Sequence, residues 1–244
     1  GRIIGDTQTG YLFALGFDLA PESLRNAMSE RLVKNIEAFG WKLSTGFIGC
    51  SLLLPTLEKI GRADVAYRLL LSEEFPSWGF MIKHGATTMW ERWDGWTPDK
   101  GFQDVGMNTF NHYAFGAVGE FLYYAIAGLR IDEAEPGLAH IPIRPIIGGG
   151  LTRARAEYAS RFGPFISEWT VADKAFSLQV VIPPSTRSTI TLPGIDGRLA
   201  ADVAAPNLRQ INANSFAVES GEYRFEATRS EERRVGKSVD LGGR

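Results

Sequence analysis

A carboxylate set among indoles and beside a guanidinium is the first feature of this chain that could do chemistry. Residues 85–96 read Gly-Ala-Thr-Thr-Met-Trp-Glu-Arg-Trp-Asp-Gly-Trp, so Glu91 lies between Trp90 and Trp93, next to Arg92, with Trp96 close behind. Indole faces match the apolar C–H faces of a sugar ring, and a carboxylate held among them can activate water or bind hydroxyls. The same residues admit a structural reading, in which Glu91 pairs with Arg92 or Lys83 and the tryptophans fill a core. Residue types alone leave both readings open.

A second polar group follows in Asn108-Thr109-Phe110-Asn111-His112-Tyr113. Phe110, Tyr113, Ala114, Ala117, Val118, Phe121, Leu122, Ala125, Ile126 and Leu129 recur with helical spacing, which predicts a helix starting near Phe110. His112 then falls off the apolar stripe and near an N-terminus whose free N–H groups favour anions and acceptors. It could bind a sugar hydroxyl or a carboxylate, or serve as a structural hydrogen-bonder. Asp94, Asp99 and Asp104 alternate with glycines but match no EF-hand pattern, so no metal is expected, and no cofactor.

The elements around these groups are helical at first. Asp6 or Thr7 can cap a helix carrying Tyr11, Leu12, Leu15 and Leu19. A second opens at Pro21, carries Leu24, Met28, Leu32, Ile36 and Phe39, and is stopped by Gly40. Phe47 to Leu57 predicts a third despite Pro55, and Ala63 to Leu71 a short fourth. Between Phe75 and Met107 the periodicity fails, so a long loop rich in tryptophan and glycine is expected there. Ordered loops of that kind are usually functional. Past Pro136 the pattern changes to short β-rich runs, Ile166 to Val171, Phe176 to Ile182 and Thr189 to Leu192, and a β domain is expected from near His140.

Bulk properties narrow the class. Among 244 residues, 44% are apolar and 22% charged, which excludes disorder of the whole chain. A net charge of -2, without a basic stripe, argues against a nucleic-acid partner. No apolar run approaches the ~20 residues of a membrane helix, so no membrane partner is expected. Cys50, the single cysteine, cannot form an internal disulfide; its apolar flanks make it a core residue, and it leans the expected location toward the cytoplasm. The opening Gly1-Arg2-Ile3-Ile4 has neither an initiator Met nor a signal peptide, and reads as a cut through a longer protein. Arg229 to Lys237 resembles a sequencing adapter translated in frame, so no core contacts are expected beyond Thr228.

The string from Gly85 to Tyr124, with Trp90-Glu91-Arg92-Trp93-Asp94-Gly95-Trp96, Gly101-Phe102-Gln103-Asp104 and Asn108-Thr109-Phe110-Asn111-His112-Tyr113, resembles glycoside hydrolase family 78, the bacterial and fungal α-L-rhamnosidases. The likeness runs back to Thr7-Gln8-Thr9 and Thr45-Gly46-Phe47 and forward through Ile143-Arg144-Pro145 and Gly148-Gly149-Gly150-Leu151, covering most of residues 6–193. It implies a chain that is mainly α plus β: a partial α/α six-hairpin toroid over residues 1–135, an antiparallel β-sandwich over 136–228, and a charged tail of 229–244. It further implies an inverting glycosidase acting on rhamnose-containing glycosides or polysaccharides. Glu91 would be its general base, His112 a substrate contact, and Trp90, Trp93 and Trp96 a sugar platform. The family's general acid lies in an upstream Asp- and Arg-rich motif that nothing here matches. The missing N-terminal part of the same protein is therefore an expected partner, and the isolated fragment is expected to be inactive. Alternatives are an α/α-barrel glycosidase of different sugar specificity, or a non-catalytic carbohydrate-binding or structural protein on the same scaffold.

Overall fold

A computed structural model describes residues 2–173, 175–193, 197–199 and 208–228. The expectation for the tail after Thr228 lies outside the described residues. The chain divides into two compact units, one of residues 1–130 with 144–151 and one of residues 131–143 with Thr152 onward.

The first unit is built from helices α1 (Gln8–Gly16), α2 (Glu22–Ala38), α3 (Phe47–Lys59), α4 (Ala63–Leu70) and α5 (Trp78–Lys83). The Thr7 hydroxyl caps α1 by accepting the Gly10 N–H, and Pro21 immediately precedes α2. Gly40 and Gly61, just past α2 and α3, take the left-handed conformation that turns the chain out of a helix. α1 packs on α2 and α3, and α3 on α4, around Tyr11, Leu12, Leu15, Met28, Leu32, Ile36, Leu53 and Leu57. Pro55 stays inside α3 because the burial of Leu53, Leu54 and Leu57 on that helix outweighs a proline penalty of about 3 kcal/mol.

Two local expectations change. The aperiodic stretch after Phe75 contains α5, whose Ser77 cap and buried Trp78, Phe80 and Met81 define a helix too short for periodicity to reveal. The helix expected from Phe110 to Leu129 starts only at Ala114. It runs as a 3-10 turn (Ala114–Ala117), a single α-turn α6 (Val118–Phe121) and a π-turn (Leu122–Ile126). Phe110 belongs instead to an irregular segment whose backbone is committed elsewhere, and Tyr113 is exposed.

Residues 144–151 close this unit. The Tyr67 hydroxyl donates to the Ile146 carbonyl, and Gly148 and Gly149 lie so close to the Tyr67 ring that a Cβ at either would come within 2.7 Å of it. Glu58, nearly buried on α3, accepts from Arg144 at 2.6 Å and from the Tyr124 hydroxyl. Gly148 and Gly149 thus serve close approach to Tyr67, while Gly150 faces open space and takes a left-handed conformation.

The second unit is antiparallel β. Strands β3 (Arg153–Ser160), β4 (Gly163–Ala172), β5 (Ala175–Ile182), β7 (Gly197–Leu199) and β10 (Gly221–Thr228) form one sheet in the order β3-β4-β5-β10-β7. Strands β6 (Ser188–Thr191), β8 (Leu208–Asn212) and β9 (Ser215–Val218) form another in the order β6-β9-β8. The inward positions alternate along the strands: Phe165 and Trp169 on β4, Phe176, Leu178, Val180 and Ile182 on β5, Tyr223 and Phe225 on β10. The sheets meet where the Phe216 and Phe225 rings lie 5.2 Å apart.

Candidate active site

Glu91 and His112 stand on two short irregular segments of the first unit that are hydrogen-bonded to each other. The Glu91 N–H donates to the Thr109 carbonyl (2.9 Å) and the His112 N–H to the Met89 carbonyl (2.8 Å); the Thr88 hydroxyl donates to the Phe110 carbonyl. These bonds run residues 88–91 against 109–112 in opposite directions. They consume the backbone groups that a helix beginning at Phe110 would need, which is why the helix starts later. Phe110 turns its ring to Trp90, 5.3 Å away, and to Phe102 on the hairpin of β1 (Trp96–Thr97) and β2 (Gly101–Phe102).

The Glu91 carboxylate is partly exposed, and its Oε2 accepts the Thr109 main-chain N–H at 2.7 Å. The ion pairs of the structural alternative are not formed. Arg92 forks onto Asp94 at 2.9 and 3.0 Å, and Lys83 reaches Glu73. That fork holds the Asp94 carboxyl below its usual range. Asp104 caps the turn Val105–Met107 by accepting the Gly106 N–H. Asp94 and Asp104 therefore have structural partners, and Thr97 with the neighbouring main chain holds the Asp99 carboxyl below its usual range as well.

His112 is set on an aromatic column. Its ring stacks on Phe47 at 4.6 Å and beside Tyr113 at 5.3 Å, and its Nδ1 accepts the Ala114 N–H at 3.2 Å. With Nδ1 accepting, the neutral ring carries its proton on Nε2 and presents a donor. Phe47 meets Phe115 edge-on, Phe115 stacks on Trp93 at 3.9 Å, and Trp93 meets Trp78 edge-on. Two indole N–H groups pin the column, Trp78 to the Phe115 carbonyl and Trp93 to the Thr45 carbonyl.

The three tryptophans differ in their placement. Trp90 is only 5% exposed, so little of its indole is available to a ligand. Trp93 has one face on Phe115, and Trp96 is partly exposed with its ring tilted against His84. Phe47, Phe115, Thr88 and Thr109 were not legible from local pattern, because what recommends them is contact across the chain. Thr45-Gly46-Phe47, part of the family likeness, was the one signal pointing to Phe47.

Two other features compete for attention. A cavity of about 510 Å³ is lined by Glu22, Arg25, Lys59 and Arg62 among others and shares no residue with the Glu91 segments; its cations are taken by Asp18, Glu22 and Asp64. Asp132, Glu135 and His140 in the second unit bring possible metal-ligand atoms within 4.8 Å of one another. Their donors are already engaged: His140 with Asp132 (2.6 Å) and Thr189 (3.0 Å), Glu135 with Arg187. A guanidinium in that position makes an ion-pair clasp, not a cation site.

Helical hairpins leading through an aromatic loop with one clamped carboxylate into an antiparallel β unit define the class of the six-hairpin glycosidases. Residues 1–126 match the bacterial alpha-L-rhamnosidase 6 hairpin glycosidase domain, and residues 128–205 the bacterial alpha-L-rhamnosidase C-terminal domain. The chain belongs to the bacterial alpha-L-rhamnosidase family. It is 45% identical over 226 residues to an alpha-L-rhamnosidase of Streptomyces avermitilis, covering 92% of this chain and 22% of that protein. The crystal structure of a Streptomyces avermitilis alpha-L-rhamnosidase complexed with L-rhamnose superimposes with a TM-score of 0.83 at 44% identity, over 93% of this chain and 22% of that one. An alpha-L-rhamnosidase of Aspergillus terreus does so with a TM-score of 0.81 at 34% identity, over 92% and 24%. The chain thus spans less than a quarter of the length of these relatives. Among the described residues no helix is long and apolar enough to cross a membrane.

Proposed function

We propose that this chain contributes the base side of an inverting hydrolase that removes terminal α-L-rhamnose from glycosides or polysaccharides. The observation that carries this reading is the Glu91 carboxylate: one oxygen is held by the Thr109 N–H, and its segment is bonded directly to that of His112. Glu91 takes a proton from water through its other oxygen as the water attacks the anomeric carbon. His112 donates from Nε2 to a sugar hydroxyl. Trp93 contributes by shaping the aromatic wall rather than as an open platform, Trp90 supports Phe110 from within, and Trp96 lies apart from that wall against His84.

Inversion requires a second carboxyl group about 6.5–9.5 Å from the base, on the opposite face of the sugar, to protonate the departing oxygen. No counterpart of the family's general-acid motif occurs in these 244 residues, so that group is supplied by another part of the parent protein. The reading is consistent with the kinship to a rhamnosidase crystallised with L-rhamnose. Steady-state kinetics of the complete enzyme on an aryl α-L-rhamnoside test it. Glu91→Gln keeps the shape, removes the base and is expected to lower kcat by about 10² to 10⁴-fold. Near wild-type turnover in a folded variant removes Glu91 from the mechanism.

A further inference from the structure

We infer that Thr109 and Thr88 are positioning residues for the general base, Thr109 through its main-chain N–H and Thr88 through its hydroxyl. This rests on Glu91 being the base, as proposed above.

Glu91 and Thr109 exchange two bonds. The Glu91 main chain donates to the Thr109 carbonyl, and the Thr109 main chain donates back to Glu91 Oε2 at 2.7 Å. A glutamate side chain has three torsions, and a partly exposed one ordinarily samples several rotamers. Here it is tied at its backbone and at its carboxylate to one residue, which closes a ring and selects one direction for the remaining oxygen. The donor is an amide, so it holds the carboxylate without placing a second titratable group in the site. A general base within hydrogen-bond reach of its water is effective only when its free oxygen faces the attack trajectory.

The clamp works only if residues 109–112 stay on residues 88–91. Along that edge the fastenings are the Trp90–Phe110 ring contact, the two main-chain bonds from Glu91 and His112, and the Thr88 hydroxyl on the Phe110 carbonyl, the one side-chain hydrogen bond among them. Thr88 and Thr109 are both exposed, so neither is held in place by burial. Thr88 therefore sets the register of the segment that carries the clamp, one residue from the donor itself. An exposed hydroxyl of this kind adds little to global stability, and its consequence should be read in turnover.

The test uses the complete enzyme and an aryl α-L-rhamnoside. Replacing Thr109 by its α-hydroxy acid analogue, through nonsense suppression, exchanges only the N–H for an ester oxygen. Loss of a hydrogen bond to a charged acceptor is expected to lower kcat about 10- to 100-fold, with KM nearly unchanged. Thr88→Val should lower kcat in the same direction with an unaltered unfolding midpoint, and Thr88→Ser, which restores the hydroxyl, should recover it. Wild-type kcat in the ester enzyme overturns the role of Thr109. A Thr88→Val enzyme with wild-type kcat, or a Thr88→Ser enzyme as slow as Thr88→Val, overturns that of Thr88. If Glu91→Gln is inactive while these enzymes turn over normally, the positioning inference alone fails; if Glu91→Gln is active, the base assignment fails with it.

Discussion

Two pairs of hydrogen-bonded segments in this chain are fastened in different ways. β4 and β5 keep register over seven consecutive residue pairs, from Ile166 and Val181 to Ala172 and Ala175, with Trp169, Phe176, Leu178 and Val180 buried along the seam. Segments 88–91 and 109–112 share two main-chain bonds, one threonine hydroxyl, the Glu91 carboxylate contact and a single ring contact, Trp90 on Phe110. In the sheet, apolar burial fixes the register, because a slip by one residue turns every large side chain to water. Near Glu91 one apolar contact, Trp90 on Phe110, is supplemented by a few polar bonds at a surface, which leaves the carboxylate accessible and its geometry sensitive to single atoms. The first arrangement favours stability; the second keeps the Glu91 carboxylate at the solvent boundary.

The largest effect expected from that difference lies in the sheet. Trp169 is fully buried, so Trp169→Ala leaves a cavity where an indole was and should cost about 3–5 kcal/mol in denaturant unfolding. A loss below about 1 kcal/mol would break the comparison, since the sheet would then not owe its register to burial.

The smallest expected effect concerns a third mode of fastening, by charge. Asp6 takes the Arg31 guanidinium at 2.5 and 3.1 Å and the Tyr11 hydroxyl at 2.5 Å, and these bonds draw its carboxyl well below the usual carboxylate range. A group whose pKa is lowered by folding stabilises the fold above its unfolded pKa of about 3.9 and loses that contribution as pH falls below it. Wild type should therefore exceed Asp6→Asn in stability at neutral pH, and the gap should close as pH drops under about 4. A gap that stays constant between neutral pH and pH about 3 would show that Asp6 acts through packing rather than charge.

What the sequence reveals follows the same division. Helices α1 to α4 and strands β4 to β6 are legible because each has a periodic apolar face, and Thr7, Gly40 and Gly61 punctuate the helices at their ends. Glu91 and His112 are legible as residue types in a motif, but their partnership is not. It depends on Met89, Thr88 and Thr109, whose bonds cross about twenty positions of chain and leave no local pattern. The helix expected from Phe110 illustrates the limit: its apolar spacing is present, yet the backbone from Thr109 to His112 is already bonded to another segment, and tertiary pairing outweighs periodicity. Trp90 and Trp93 fit a sugar platform by type alone, and only their contacts with Phe110 and Phe115 show how much of each ring the fold itself uses.

The division of labour between Glu91 and His112 is tested most directly by calorimetric binding of L-rhamnose to the complete enzyme and to two variants. Glu91→Gln retains its shape and should bind the sugar nearly as wild type while turning over little. His112→Ala loses the Nε2 donor and the ring stacked on Phe47, and should bind about tenfold more weakly, roughly the worth of one hydrogen bond. Equal, wild-type affinity in both variants would contradict the assignment of His112 to the sugar, and with it the claim that the two bonded segments form one site.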